Sequence, residues 1–258
     1  MHKYALVNLK GGLGNQIFQI SFANYLRILG INTFLDISFY ENKHQFPRNI
    51  EIDLQQLGFK YFKLKSNLIF KINKSLFWED DTFNLVDLKK YNRFVGYYQN
   101  LKYLEESKTF LQTKINLENK NEDNKNLCAI HIRKTDYSII NQELKNEYYQ
   151  LSIKKLLSIN NKIKFDIYTD DVELKLDSKI FKNVNNIYLP SFDEKPLDVL
   201  RKMLNYKYYI IANSSFSAIA SYLSEHENKV VIYPKPWWRD STISLTNIPS
   251  GWIGVSNN

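Results

Sequence analysis

Tyr4-Ala5-Leu6-Val7-Asn8-Leu9-Lys10-Gly11-Gly12-Leu13-Gly14-Asn15-Gln16-Ile17-Phe18 reads as an apolar strand, a glycine-rich loop and the opening of a helix. Tyr4 to Leu9 is almost continuously apolar, the mark of a strand covered on both faces. From Gln16 to Leu29 the apolar Phe18, Phe22, Tyr25 and Leu29 recur at spacings of four, three and four, which places them on one helix face. Gly30 stands where a helix end favours a left-handed residue, and Asn32 to Ile37 begins another strand. Strand, crossover helix and strand in that order predict an α/β fold with a parallel sheet.

The same alternation returns in the second half. Leu127 to Arg133 predicts a strand, Leu144 to Leu157 a helix, Lys164 to Thr169 a strand, and Pro196 to Tyr206 a helix with proline in its first turn. Tyr208 to Asn213, Phe216 to Leu223 and Lys229 to Tyr233 continue as strand, helix and strand. From about Glu41 to Leu117 aromatic and lysine-rich stretches blur the boundaries. Glu118 to Asn126 carries no apolar residue and reads as a linker. Two α/β domains follow, residues 1–120 and 121–258, facing each other across a cleft.

Composition narrows the partners. The chain has 258 residues with 35 Lys and Arg against 27 Asp and Glu, a formal charge of +8 that attracts anions. Its single cysteine, Cys128, excludes an internal disulfide and a multi-cysteine metal site, and fits a reducing compartment. No stretch approaches the roughly 20 apolar residues that span a bilayer. The N-terminus runs straight into a strand, so a cytoplasmic location is expected. Lysines alternate with Tyr, Phe, Leu and Ile from Phe59 to Phe77. That segment reads equally as an element touching a lipid-linked acceptor or the inner membrane surface, and as an ordinary amphipathic element.

Four segments carry groups suited to a ligand. Gly11-Gly12-Leu13-Gly14-Asn15-Gln16 lets backbone approach a ligand at a helix N-terminus, with the Asn15 and Gln16 amides facing it. It matches neither the dinucleotide fingerprint nor the P-loop. His131-Ile132-Arg133-Lys134-Thr135-Asp136-Tyr137 starts in an apolar strand and ends in a loop, at the carboxyl end where open α/β sheets bind ligands. Strand alternation puts His131 and Arg133 on one side. The forked guanidinium of Arg133 suits a phosphate, and an ion pair with Asp136 is its other reading. Asp170 and Asp171 end the next strand, where a carboxylate can accept from a guanine N1–H and amino group or cap the following turn. Asn213-Ser214-Ser215-Phe216-Ser217 joins strand to helix and can cap the helix, hold a phosphate, or both. No Asp-x-Asp triplet occurs, and no divalent ion is expected in the site.

Taken in order, Gly11-Gly12-Leu13-Gly14-Asn15-Gln16-Ile17-Phe18-Gln19, Gly96-Tyr97-Tyr98-Gln99, His131 to Tyr137, Thr169-Asp170-Asp171, Ile211 to Ser217 and Pro234-Lys235-Pro236-Trp237-Trp238 resemble the α-1,2-fucosyltransferase family, glycosyltransferase family 11. Where family members often carry a second Arg, this chain has Lys134.

The resemblance implies a GT-B architecture, with an acceptor-side N-terminal half and a donor-binding C-terminal half. It implies GDP-fucose as donor, inversion at the fucose anomeric carbon, and attack by the 2-hydroxyl of a galactose in a glycan acceptor. The setting it implies is bacterial surface polysaccharide or lipopolysaccharide synthesis, with no nucleic-acid partner. A fixed cation beside the departing β-phosphate is what such a reaction needs, and Arg133 is assigned to it, aided by Ser214, Ser215 and the N–H groups near Phe216. By the same resemblance His131 and one acid of Asp170 and Asp171 read guanine. Asp136 is the candidate base, although an acid beside a guanidinium is a poor one and it can instead orient Arg133. Asn15 and Gln16 cannot take a proton but can hold the attacking hydroxyl. Two readings stand beside this one: a fucosyltransferase with another acceptor hydroxyl or a protein acceptor, and a non-catalytic glycan- or nucleotide-binding protein.

Overall fold

The computed structural model describes residues 4–42, 48–63, 77–78, 92–117, 125–191, 193–240 and 243–257. It divides into two compact units, Met1–Leu117 and Glu118–Asn258. Most of the linker expected at Glu118 to Asn126, and most of Phe59 to Phe77, lie outside the described residues.

In the first unit β1 (Tyr4–Asn8) is followed by α1 (Leu13–Ile28) and β2 (Asn32–Asp36). The short strands β3 (Tyr61–Phe62), β4 (Phe77–Trp78) and β5 (Arg93–Phe94) complete a sheet of order β3-β2-β1-β5-β4, every pair parallel. Two helices close it, α2 (Leu101–Glu106) and α3 (Lys108–Ile115). Ala5, Val7, Ile17, Phe18 and Phe22 are fully buried, whereas Tyr25 and Leu29, the rest of the stripe read from the sequence, are only half-buried and Tyr25 meets Tyr103 of α2. Gly30 has φ +79° and ends α1, as its place predicts.

The second unit contains β6 (Leu127–Ile132), α4 (Thr135–Ile139), α5 (Asn146–Ile159), β7 (Lys164–Thr169), β8 (Val184–Tyr188), α6 (Pro196–Met203), β9 (Tyr208–Ile210), α7 (Ser215–Leu223), β10 (Val230–Lys235) and β11 (Ile253–Ser256). Its sheet runs β11-β10-β9-β6-β7-β8, all parallel. Counted from β6 this is the order 3-2-1-4-5-6 of a doubly wound nucleotide-binding sheet. The second unit thus meets the expectation of a Rossmann-like half, and the first is likewise an all-parallel α/β sheet, of order 3-2-1-5-4.

That order fixes where a ligand goes. The order in which strands are added reverses between β6 and β9, so the crevice lies at their carboxyl ends. Cys128, Ile130 and Ile132 of β6 pack with Tyr148 and Leu156 of α5 on one face. Alternation turns His131 to the other face, where its ring lies 5.9 Å from that of Phe216 at the start of α7. Burying each such large apolar side chain contributes about 1.5–3 kcal/mol. The Tyr148 hydroxyl donates to the Ile211 carbonyl at 2.7 Å and pins α5 to the exit of β9. Among the described residues no helix is long and apolar enough to cross a membrane.

Candidate functional site

β6 and β7 are paired in register, His131 opposite Tyr168 and Ile132 opposite Thr169. One rung further on, Arg133 faces Asp170. The Arg133 Nη1 lies 3.1 Å from Asp170 Oδ2, and its Nη2 lies 2.8 Å from Asp136 Oδ1 in the first turn of α4. The guanidinium is about four-fifths covered, at 20% side-chain exposure, and also stands 5.3 Å from the Tyr137 ring. The ion pair with Asp136 is thus present, but β6 is a central strand and Arg133 is bracketed by two carboxylates rather than one.

Asp170 is turned onto the loop that follows β6. Its Oδ1 accepts the Lys134 backbone N–H at 2.8 Å, and its Oδ2 accepts the Thr135 hydroxyl as well as the guanidinium. A carboxylate engaged in this way is not the open acceptor pair that guanine recognition was expected to use. Asp171 accepts the Glu173 N–H at 2.9 Å, the turn-capping reading of that residue. Of the two roles stated for Asp136, the structure shows the contact that goes with orienting Arg133.

Across the switch point, Ser214 is the N-cap of α7 in extended conformation and its side chain makes no capping hydrogen bond. α7 starts at Ser215, next to the Phe216 ring that lies against His131 of β6. Asn213 is almost wholly buried, and its Nδ2 donates to the Gln142 carbonyl at 2.8 Å. Ser214 and Ser215 are buried beside it. The Tyr137 hydroxyl donates to the Asn213 carbonyl, and its ring meets Trp238 edge-on at 5.9 Å. Lys134 pairs with Glu143, which also accepts from Ser138 at 2.6 Å.

Three buried polar atoms gather here without a hydrogen-bond partner among the described residues: His131 Nδ1, Asn213 Oδ1 and Arg133 Nε. Each such atom costs about 1–3 kcal/mol, and native structures keep few of them outside functional sites. Burial first, and then the charge of Arg133, lower His131 to about 4, so its imidazole is neutral at pH 7. Burial pushes Tyr137 up to about 12, so its hydroxyl remains a donor. No group of three or more His, Cys, Asp and Glu is placed to hold a metal ion among the described residues.

In the first unit the glycine loop differs from expectation in one respect. α1 begins at Leu13, three residues before Gln16, so the Gln16 N–H already bonds the Gly12 carbonyl within the helix. The Gln16 side chain is fully buried, donating to the carbonyls of Gly11 and Asn49 at 3.2 and 2.7 Å and accepting the Glu51 N–H at 3.0 Å. It staples the loop to residues 49–51, and a ligand-facing role for Gln16 is corrected to a structural one. Asn15 keeps a partly exposed position, where its Oδ1 accepts from Gln99 at 3.2 Å. Gly12 is the N-cap, with the Arg48 side chain 3.9 Å from where a Cβ would stand, and Gly14 is buried in the first turn.

Tyr137 and Trp238 lie within the motifs without a role of their own there, and Arg48 lies outside every motif. The aromatic pair was recognisable only as residue type, and Arg48 follows a stretch with no clear element.

No family model matches the chain. Among curated proteins it is 28% identical to an α-1,2-colitosyltransferase of Escherichia coli, over 97% of this chain and 98% of that one. It is 26% identical to the O-antigen biosynthesis glycosyltransferase WbnK of Escherichia coli, over 96% and 99%. The chain is a relative of bacterial sugar transferases. The similarity to these two proteins runs over nearly the whole chain. Among solved structures it is similar to the Escherichia coli heptosyltransferase WaaC with ADP at TM-score 0.45 and 11% identity, covering 98% of this chain and 93% of that one. It is also similar to the fucosyltransferase NodZ from Bradyrhizobium at TM-score 0.41 and 11% identity, covering 85% and 91%.

Proposed function

We propose that the chain is an inverting glycosyltransferase that moves L-fucose from GDP-fucose to the 2-hydroxyl of a galactose in a glycan acceptor, in the synthesis of a bacterial O-antigen or related surface polysaccharide. The observation that carries it is Arg133, held between Asp136 and Asp170 at the switch point of the Rossmann-ordered sheet.

In this reading the bond between the sugar C1 and a β-phosphate oxygen breaks as the acceptor oxygen approaches C1 from the opposite face. Positive charge grows on the ring and negative charge on the leaving diphosphate. Arg133 has five N–H donors, two of which go to Asp136 and Asp170, and the remaining donors serve the phosphate. The first N–H groups of α7, with Ser214, Ser215 and the backbone near Phe216, take the other phosphate oxygens. Neutral His131 and Asp171 are left for the guanine. The acceptor hydroxyl gives up its proton late, with Asp136 the nearest acid and Asn15 the group that holds the hydroxyl. No divalent ion is required, and turnover in the presence of a chelator tests that.

The α-1,2-colitosyltransferase relative favours a second reading in which the sugar is colitose, the 3-deoxy analogue of fucose. Thermal stabilisation by GDP, GDP-fucose and GDP-colitose, but not by UDP or ADP, supports the nucleotide, and release of GDP with a galactose-terminated acceptor separates a transferase from a binder. Linkage analysis of the product then decides the hydroxyl. Contact with a lipid-linked acceptor or the inner membrane surface belongs to the same proposal, and salt-sensitive binding to anionic liposomes tests it.

A further inference from the structure

We infer that Asp170 is a positioning residue that sets the Arg133 guanidinium against the donor's β-phosphate, and that it does not read the base. The inference rests on the proposed function. Asp170 grips three consecutive residues by three different groups: the side chain of Arg133, the backbone N–H of Lys134 and the hydroxyl of Thr135. Its two oxygens divide the work, Oδ1 holding the backbone and Oδ2 holding the guanidinium and the hydroxyl. The strand register makes the contact obligatory, since Arg133 and Asp170 each follow the last paired rung of β6 and β7. A long side chain with several rotatable bonds is thereby reduced to one orientation before any ligand arrives, which is how a fixed donor stabilises charge as it develops without reorganising. Asp136 alone does not tie the guanidinium to a second strand, because it lies three residues beyond Arg133 in the same segment of chain, whereas Asp170 follows β7.

An amide in place of Asp170 has a single acceptor oxygen, so Asp170→Asn satisfies either Lys134 or the guanidinium but not both. Calorimetry on the whole chain with GDP, GMP and inosine diphosphate reads the consequence. Asp170→Asn is expected to weaken GDP about tenfold, the equivalent of about 1.4 kcal/mol, while changing GMP less than about twofold. The ratio of GDP to inosine diphosphate affinity should stay at its wild-type value, because the base is not touched. In an Arg133→Ala background the Asp170→Asn effect should shrink below about twofold, since the two residues act as a unit. Thr135→Val, which removes one exposed hydroxyl, should show the same pattern at about two- to threefold and stands in if Asp170→Asn does not fold. Loss of GDP over inosine diphosphate discrimination, equal weakening of GDP and GMP, or unchanged GDP affinity overturns the inference while leaving the functional reading intact. A folded wild type that binds no GDP overturns both.

Discussion

The Tyr137 hydroxyl donates to the Asn213 carbonyl oxygen at 3.1 Å, joining the loop after β6 to the loop after β9 across the switch point. The two loops carry the guanidinium and the start of α7, so this bond sets their spacing. Removing it in Tyr137→Phe leaves a buried carbonyl short of a donor, at a cost of about 1 kcal/mol in stability. If the alignment matters equally at the transition state, turnover falls about fivefold with the ring packing against Trp238 retained. A melt together with steady-state kinetics checks both. Wild-type turnover in a protein destabilised as expected would show that the spacing is not used.

Arg133→Ala should abolish turnover by roughly 10²–10³-fold in a chain that still folds. Arg133→Lys keeps the charge but cannot bridge Asp136 and Asp170 through two nitrogens of one plane, so it should recover little of the loss. Circular dichroism and a GDP-release assay measure the two together. A folded Arg133→Ala enzyme with most of its activity ends the assignment.

How much of this was legible follows from burial. Strands covered on both faces announce themselves as apolar runs, and Leu127 to Ile132 and Lys164 to Thr169 were read nearly to the residue. β8, Val-Asn-Asn-Ile-Tyr, and β11, Ile-Gly-Val-Ser, were not, because edge strands meet solvent and lose the pattern. α4 is a five-residue helix inside a motif, too short for any period. Residue types at the site were visible where they end strands, but their partners were not. Asp170 meets Arg133 only through the β6–β7 register, and Gln16 meets Asn49 only through the folded path of the loop, so a carboxylate and an amide both looked free. The buried pair of Arg93 with Asp36, 2.8 Å apart, left no local signal at all across its separation in the chain.

Gly11 and Gly30 both have left-handed backbone, at φ +81° and +79°, but only Gly11 is crowded. A Cβ at Gly11 would stand 2.6 Å from Asn15 Nδ2, whereas at Gly30 it meets nothing within 4 Å. Gly30→Ala should therefore cost about 1 kcal/mol. Gly11→Ala should cost up to about 3 kcal/mol and displace Asn15 as well. Urea unfolding of both variants checks the order, and the reverse order would mean that the loop rearranges freely.

His131 makes stability depend on acid. Its folded value, near 4, lies below the 6.5 of an exposed histidine, so between those values the unfolded chain binds the extra proton and the folded chain does not. Stability from this group is whole above pH 6.5 and is lost as pH falls towards 4. The urea midpoint should drop between pH 7.5 and pH 5 more steeply in the wild type than in His131→Gln. Parallel slopes would mean that His131 is not held neutral.

Asp136 and Asp170 contact the same guanidinium but should move nucleotide affinity in opposite directions. Asp170 also fixes the backbone of Lys134, and its loss frees the loop. Asp136 lies in the first turn of α4, three residues beyond Arg133, and its negative charge opposes a phosphate drawn to the same guanidinium. At a side-chain exposure of 17% and 20% the pair is partly screened, and releasing it is worth about 1 kcal/mol or less, up to about fivefold in affinity. Asp136→Asn should accordingly tighten GDP binding by that amount, while its effect on turnover reports whether the carboxylate also takes the acceptor's proton. Unchanged turnover removes Asp136 as the base, and weaker GDP binding would show that it steadies Arg133 as Asp170 does.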